Sequence, residues 1–133
     1  MTYALDTNIV SYLLREDAAL TSKVAAEIAN GHEITIPPIV YYEIKRWLNI
    51  AGATKKERLF RQLCVGADMT IYESDLDQAA LIYANLKRQG KPTSDADILI
   101  AAFCIATNSI LITNNEKHFA QIEDLEWLNW IED

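Results

Sequence analysis

The chain has 133 residues, of which half are hydrophobic and 23% are charged, and its net charge is −7. These proportions are ordinary for a folded soluble protein and exclude a disordered or low-complexity chain. A chain of this length forms one domain, 1–133, with a core that needs neither disulfides nor structural metal. The acidic total excludes a uniformly basic surface of the kind that attracts phosphate backbones, but it allows carboxylates concentrated at one cation site.

The two cysteines and the hydropathy pattern predict a cytoplasmic protein. Cys64 and Cys104 lie inside apolar helical patterns and form no C-x-x-C pair, so we interpret them as reduced core residues. The N-terminus has no basic leader, and no stretch reaches the roughly 18 apolar residues that span a membrane. We therefore expect no membrane partner.

Strands and helices alternate along the whole sequence. The first half predicts a strand at 2–5, helices at 9–14 and 18–30, a strand at 33–36, and helices at 37–49 and 55–65. The second half predicts a strand at 69–72, a helix capped by Ser74 that ends before Gly90, a helix at 95–107, a strand at 110–113, a helical turn at 116–121 and an edge strand at 125–128.

This alternation predicts an α/β fold with a mainly parallel sheet of four to five strands and helices on both faces. Ligands of such sheets bind at the carboxyl ends of the strands. The residues that follow the predicted strands are therefore the candidates for a site, and they are Asp6, Thr7, Asn8, 37–43, Asn114 and Asn115, together with the turn at 93–97.

Three acids stand at these positions, and each also has a purely structural explanation. Asp6 directly follows a buried strand, where it could cap the next helix. Glu43 lies at the edge of the apolar face of its helix, where it could pair with Arg46. Asp97 opens an apolar helix and completes a pattern with Ser94 that resembles a capping box.

Considered together, the acids suggest a cation site. Mg²⁺ and Mn²⁺ take oxygen ligands from a few carboxylates, and such ions activate water and neutralise charge on phosphate. His32 and His118 lack the spacing of a zinc site, and the sequence contains no glycine-rich phosphate loop.

Four segments carry a resemblance to a known family: LDTN at 5–8, PPIVYYE at 37–43, DILIAA at 97–102 and ITNNEKHF at 112–119. In this order and spacing the chain resembles the PIN-domain family and, within it, the VapC-type toxins. The resemblance implies a three-layer α/β/α sandwich, dependence on Mg²⁺ or Mn²⁺, and cleavage of RNA. It also implies a homodimer that a cognate antitoxin protein holds inactive in a type II toxin–antitoxin system.

The resemblance also implies roles for individual residues. Asp6, Glu43 and Asp97 match the three main acids of the family, so they are the expected catalytic and metal-binding residues. Thr7, Asn8 and Thr113 would support them. Asn115 stands where many members carry a fourth acid, which puts a second metal ion in doubt; the residues that could compensate are Asp95 and Glu116.

Other functions remain open at this stage. A phosphotransferase with a strand–Asp-x-Asp motif would need an acid where this chain has Asn8. A catalytically weak domain that binds RNA or protein, or a housekeeping RNA-processing nuclease, would keep the same fold. Basic residues that could hold an RNA backbone form three clusters, Lys45/Arg46, Lys55/Lys56/Arg58/Arg61 and Lys87/Arg88/Lys91, although each could equally be a solvated helix face.

Overall fold

The computed structural model describes residues 1–131, so residues 132 and 133 of the predicted domain lie outside the described residues. The strands are β1 (Thr2–Leu5), β2 (Glu33–Thr35), β3 (Ile110–Ile112) and β4 (Trp127–Leu128). The helices are α1 (Thr7–Leu14), α2 (Ala18–Ala29), α3 (Pro38–Ala51), α4 (Thr54–Leu63), α5 (Glu73–Arg88), α6 (Asp95–Ala106) and α7 (Glu116–Phe119).

The four strands form one parallel sheet in the order β2-β1-β3-β4. In β1, Tyr3 pairs with Ile34 of β2 on one side and with Ile110 of β3 on the other. The strand order reverses between β1 and β3, and this point at the carboxyl edge is where parallel sheets form their ligand sites. The predicted α/β/α sandwich with a parallel sheet is therefore confirmed, with four strands.

The apolar helix α6 anchors its own N-terminal turn, which carries Asp97, to the core. Its buried residues are Ile98, Ile100, Ala101, Ala102, Phe103 and Cys104, and it packs against α3, α5, α7 and β3. A helix that is apolar on most sides is buried on most sides. The N-terminal turn of α6, which carries Asp97, is consequently held in a fixed position beside the sheet.

The predicted strand at 69–72 is wrong. Its backbone forms local side-chain hydrogen bonds instead of a ladder: Thr70 N donates to Asp68 Oδ1 at 2.9 Å, and Tyr72 N donates to Asp75 Oδ2 at 2.9 Å. Such local bonds offer the backbone an alternative to a sheet. Ile71, which the apolar pattern assigned to a strand, is 51% exposed.

The start of α5 also differs from the prediction. The capping residue is Tyr72 and not Ser74, because the buried carboxylate of Asp75 reaches back to the Tyr72 backbone. Both cysteines are free, as predicted. Within residues 1–131, no helix has the length and apolar character required to cross a membrane.

Candidate active site

The candidate site lies where β1 and β3 end side by side. Asp6 N donates to Ile112 O at 2.9 Å, so the ladder between the two strands continues to the residue that leaves the sheet. Thr113, the next residue after β3, is fully buried, and Asp6 is only 4% exposed. The reversal of strand order thus brings an acid and a hydroxyl together at the edge predicted for ligands.

Asp6 fulfils its structural role with one carboxylate oxygen and keeps a second contact with the other. Oδ1 accepts from Thr7 N at 2.8 Å and caps α1, as the structural explanation required. Oδ2 accepts from Thr113 Oγ1 at 2.7 Å, across 107 residues of sequence. Helix capping therefore accounts for the contact of Oδ1 but not for the contact of Oδ2 with Thr113.

Thr7 connects Asp6 to Glu43. The Thr7 hydroxyl donates to Glu43 Oε1 at 2.7 Å, which joins the first turn of α1 to α3. The other oxygen, Oε2, lies 3.9 Å from Arg46 Nη2, and the Arg46 side chain is 57% exposed. The predicted pair with Arg46 is present but long and solvated, so the Thr7 contact is the better-ordered of the two.

Asp97 forms only half of a capping box. Its backbone N–H donates to Ser94 Oγ at 3.2 Å, as expected for a capped helix. Its carboxylate turns instead to His118, whose Nδ1 lies 2.8 Å from Asp97 Oδ2. Because an ionised carboxylate only accepts, Nδ1 is the donor in this contact.

Asn115 closes the connection between the acids. Its backbone N–H donates to Thr113 Oγ1 at 2.9 Å. Its side-chain amide approaches His118 Nδ1 to 2.8 Å, but Nδ1 cannot accept from the amide nitrogen while it donates to Asp97. One set of close polar contacts therefore runs through all three predicted acids. We call this set the acid network; it consists of Asp6, Thr7, Glu43, Asp97, Thr113, Asn115 and His118.

The charges in the acid network act on Asp6. Burial raises the pKa of the Asp6 carboxyl above its ordinary value, and the negative charges of Asp97 and Glu43 raise it further. The hydrogen bonds from Thr113 and Thr7 lower the same pKa and do not fully compensate. A buried acid under repulsion from two other acids is an environment that a bound cation would relieve.

Three predicted residues take no part in the acid network. Asn8 and Asp95 are exposed and enter none of its hydrogen bonds. Glu116 is also exposed, and its Oε2 accepts from Asn129 Nδ2 at 3.4 Å. Compensation for the missing fourth acid by Asp95 or Glu116 stays a prediction that these contacts do not favour.

Sequence reasoning missed His118, which it considered only as a zinc ligand. The available signal was its spacing of three residues from Asn115 in a short helix directly after a strand, because residues three apart lie on one helix face.

The donor chemistry of the acid network suits a hard divalent cation, since its charged groups are all carboxylates. Among residues 1–131, however, no three His, Cys, Asp or Glu side chains are arranged so that they could hold a metal ion between them. Mg²⁺ usually needs only one or two carboxylates and keeps several waters, so an oxygen-rich edge without a complete cage still fits it.

Comparison with known proteins agrees with this fold. The family model described as PIN domain matches residues 3–125. The chain belongs to the PIN domain family.

Within the family, the similarity is to VapC proteins over nearly the full length. The chain is 28% identical to Ribonuclease VapC1 of Haemophilus influenzae strain R2866, with 98% of each chain covered. It is 31% identical to Ribonuclease VapC2 of Haemophilus influenzae strain Rd, with 98% of this chain and 99% of the relative covered. The solved structure of VapBC2 from Rickettsia felis bound to a promoter DNA fragment matches with a TM-score of 0.87 at 26% identity, covering 98% of this chain and all of that one.

Proposed function

We propose that this protein is a metal-dependent endoribonuclease that acts as the toxin of a toxin–antitoxin pair. The observation that carries the proposal is the acid network, in which close polar contacts bring Asp6, Glu43 and Asp97 together although they are far apart in sequence. Its support from relatives is that VapC proteins similar over nearly the whole chain are named ribonucleases.

Each acid has a role that the family resemblance implies. Asp6 and Asp97 would hold Mg²⁺ or Mn²⁺ most directly, and Glu43 would bind through water or orient the attacking water. The Thr7 backbone N–H and the Thr113 hydroxyl donate to the Asp6 carboxylate, and the Thr7 hydroxyl donates to Glu43. The bound ion would supply charge neutralisation at the scissile phosphodiester and a lower pKa for its water. The side chains themselves supply a pre-arranged set of acceptors.

The proposed partners follow from the same relatives. The matching chain of VapBC2 from Rickettsia felis is similar to this protein over nearly its whole length. This similarity supports a cognate antitoxin protein as the partner of this protein. We further propose that the chain works as a homodimer in that complex, as the family resemblance implies. The net charge of −7 is complementary to a cationic antitoxin segment and would speed association.

The test is cleavage of RNA by the purified protein with Mg²⁺, Mn²⁺ or EDTA. Cleavage should occur with either metal and stop with EDTA, and Glu43→Gln should remove most of it, because an amide carries no charge. Asp95→Asn is the matched control, since it removes an acid outside the acid network. Undiminished cleavage by Glu43→Gln, or cleavage in EDTA, contradicts the metal mechanism.

The toxin role has its own test. Expression of the chain alone should arrest growth, and co-expression with the protein encoded by the neighbouring short gene should restore it. If that protein neither co-purifies with the chain nor suppresses cleavage, a housekeeping nuclease is the better account. If no RNA is cut under any condition, a domain that only binds RNA or protein is the better account.

A further inference from the structure

A pocket of about 390 Å³ opens where α5 turns into α6. Its lining includes an aromatic side chain, two lysines, a hydroxyl and a buried apolar floor. We call it the basic pocket; the residues that matter are Tyr83, Lys87, Lys91, Thr93 and Ile98. Its volume lies in the range of pockets that take small organic groups.

The backbone brings the two lysines and the tyrosine to one side. Tyr83 and Lys87 are four residues apart on α5, so they share a helix face. The helix then ends in a Schellman turn: Gly90, at φ 68°, donates to Lys87 O at 3.1 Å, and Lys91 N donates to Leu86 O at 3.0 Å. The left-handed glycine reverses the chain and returns Lys91 toward Lys87.

The basic pocket borders the acid network. Ile98 is the residue directly after Asp97, and consecutive Cα atoms lie about 3.8 Å apart. Thr93 precedes the Ser94 cap of α6, and its hydroxyl accepts from Gln121 Nε2 at 2.6 Å. The lining of the basic pocket therefore includes the residue next to Asp97 in α6.

The lysines of the basic pocket are exposed and form no ion pair in the part of the chain that the structure describes. By contrast, Lys45 and Arg61 both bind Glu57, and Lys55 lies 3.3 Å from Glu16. Lys87 and Lys91 therefore give the basic pocket a positive charge on a protein whose net charge is −7. Phosphate is the ligand that such cations recognise without sequence preference.

Tyr83 adds a second kind of contact. It is 51% exposed although its ring is large and apolar. An exposed aromatic ring beside cations is the arrangement with which proteins bind single-stranded nucleic acid, because a base stacks on the ring while the lysines hold the backbone.

We propose that the basic pocket is a binding subsite for single-stranded RNA next to the acid network, with a base on Tyr83 and phosphates on Lys87 and Lys91. The proposal rests on the proposed ribonuclease function, whose substrate it would position. The alternative explanation is that Lys87 only complements the negative end of α5, and that alternative predicts a change in stability without a change in RNA binding.

The experiment measures binding of a fluorescently labelled single-stranded RNA by anisotropy, in EDTA, over a series of salt concentrations. The double variant Lys87→Ala/Lys91→Ala should flatten the slope of log K against log salt by about 1.4, since each phosphate contact on a single strand contributes about 0.7. The matched control, Lys55→Ala/Lys56→Ala, removes two neighbouring lysines from α4 and should leave the slope within about 0.3. Tyr83→Ala should weaken binding about tenfold, and Tyr83→Phe should not, because stacking needs only the ring.

Thermal unfolding tests whether each variant is folded. If Lys87→Ala/Lys91→Ala is not folded, Lys87→Gln/Lys91→Gln replaces it. An unchanged slope in the folded double variant, an equal loss in the control pair, or no RNA binding by the parent chain overturns the proposal. Cleavage kinetics separate the two proposals. A raised KM with unchanged kcat in the double variant supports both, whereas RNA binding that depends on these lysines without any cleavage overturns only the nuclease function.

Discussion

The acid network and the basic pocket adjoin each other at the start of α6, yet they are built in opposite ways. The three acids are buried or half-buried, and they accept hydrogen bonds from Thr7, Thr113 and His118. In the basic pocket, Lys87 and Lys91 are exposed and form no ion pair within residues 1–131. The two regions therefore suit different tasks. Reacting groups need fixed positions, whereas exposed charges are sufficient to hold a flexible polymer.

The largest expected effect separates chemistry from binding. Asp97→Asn should reduce RNA cleavage by about 100-fold or more, equivalent to about 2.7 kcal/mol of barrier, because the amide has lost the charge. The fold should persist, since the bond to Ser94 comes from the backbone of residue 97. Binding of the labelled RNA in EDTA should stay within about twofold. Asp95→Asn, two residues away and exposed, is the control; full cleavage by Asp97→Asn would remove the acid network from the chemistry.

The next effect compares the stability of the two regions. Thr113→Val keeps the shape of the side chain but removes the donor to the buried Asp6 carboxylate, which should cost about 1–3 kcal/mol of unfolding free energy. Lys87→Ala, in the basic pocket, should change stability by less than about 0.5 kcal/mol.

Urea unfolding measures both values, and Thr113→Ser, which keeps the hydroxyl, should recover most of the loss. Equal costs for Thr113→Val and Lys87→Ala would mean that the acid network is no better fixed than the surface.

The smallest effect concerns pH. Because the pKa of Asp6 is raised in the folded protein, the stability linked to its protonated form is present at low pH and is lost as pH rises through the folded pKa. The gain in melting temperature of metal-free Asp6→Asn over the parent chain should therefore grow as pH rises above about 4, the ordinary pKa of an aspartate. Asp95→Asn removes the same charge from an exposed position and reports the general charge effect. An equal pH trend in both variants would contradict a strained Asp6.

The sequence was sufficient to predict the sheet and most of the acid network. Apolar runs that end at Asp6 and Thr113 indicate buried strands, and the carboxyl ends of parallel strands lie at the same edge of the sheet. The prediction at 69–72 failed because apolar composition cannot reveal that Asp68 and Asp75 take up the backbone donors of that segment.

Two further features depended on distant parts of the chain. The contact between His118 and Asp97 joins α7 to α6, so no local pattern could indicate it. The three basic clusters look alike in sequence. Only the fold shows that Lys45 and Lys55 pair with acids, whereas Lys87 and Lys91 pair with none of the acids in the described range 1–131.

The bond between Thr113 and Asp6 has a consequence for the synthesis of the protein. Asp6 is translated 107 residues before its partner Thr113, which directly follows β3. A ribosome that has translated only the first hundred residues has already made Asp6, Glu43 and Asp97 without the strand that orders them. Truncated products that end between Asp97 and Thr113 therefore contain all three acids but lack the Thr113 donor, so the acid network can assemble only in a nearly finished polypeptide.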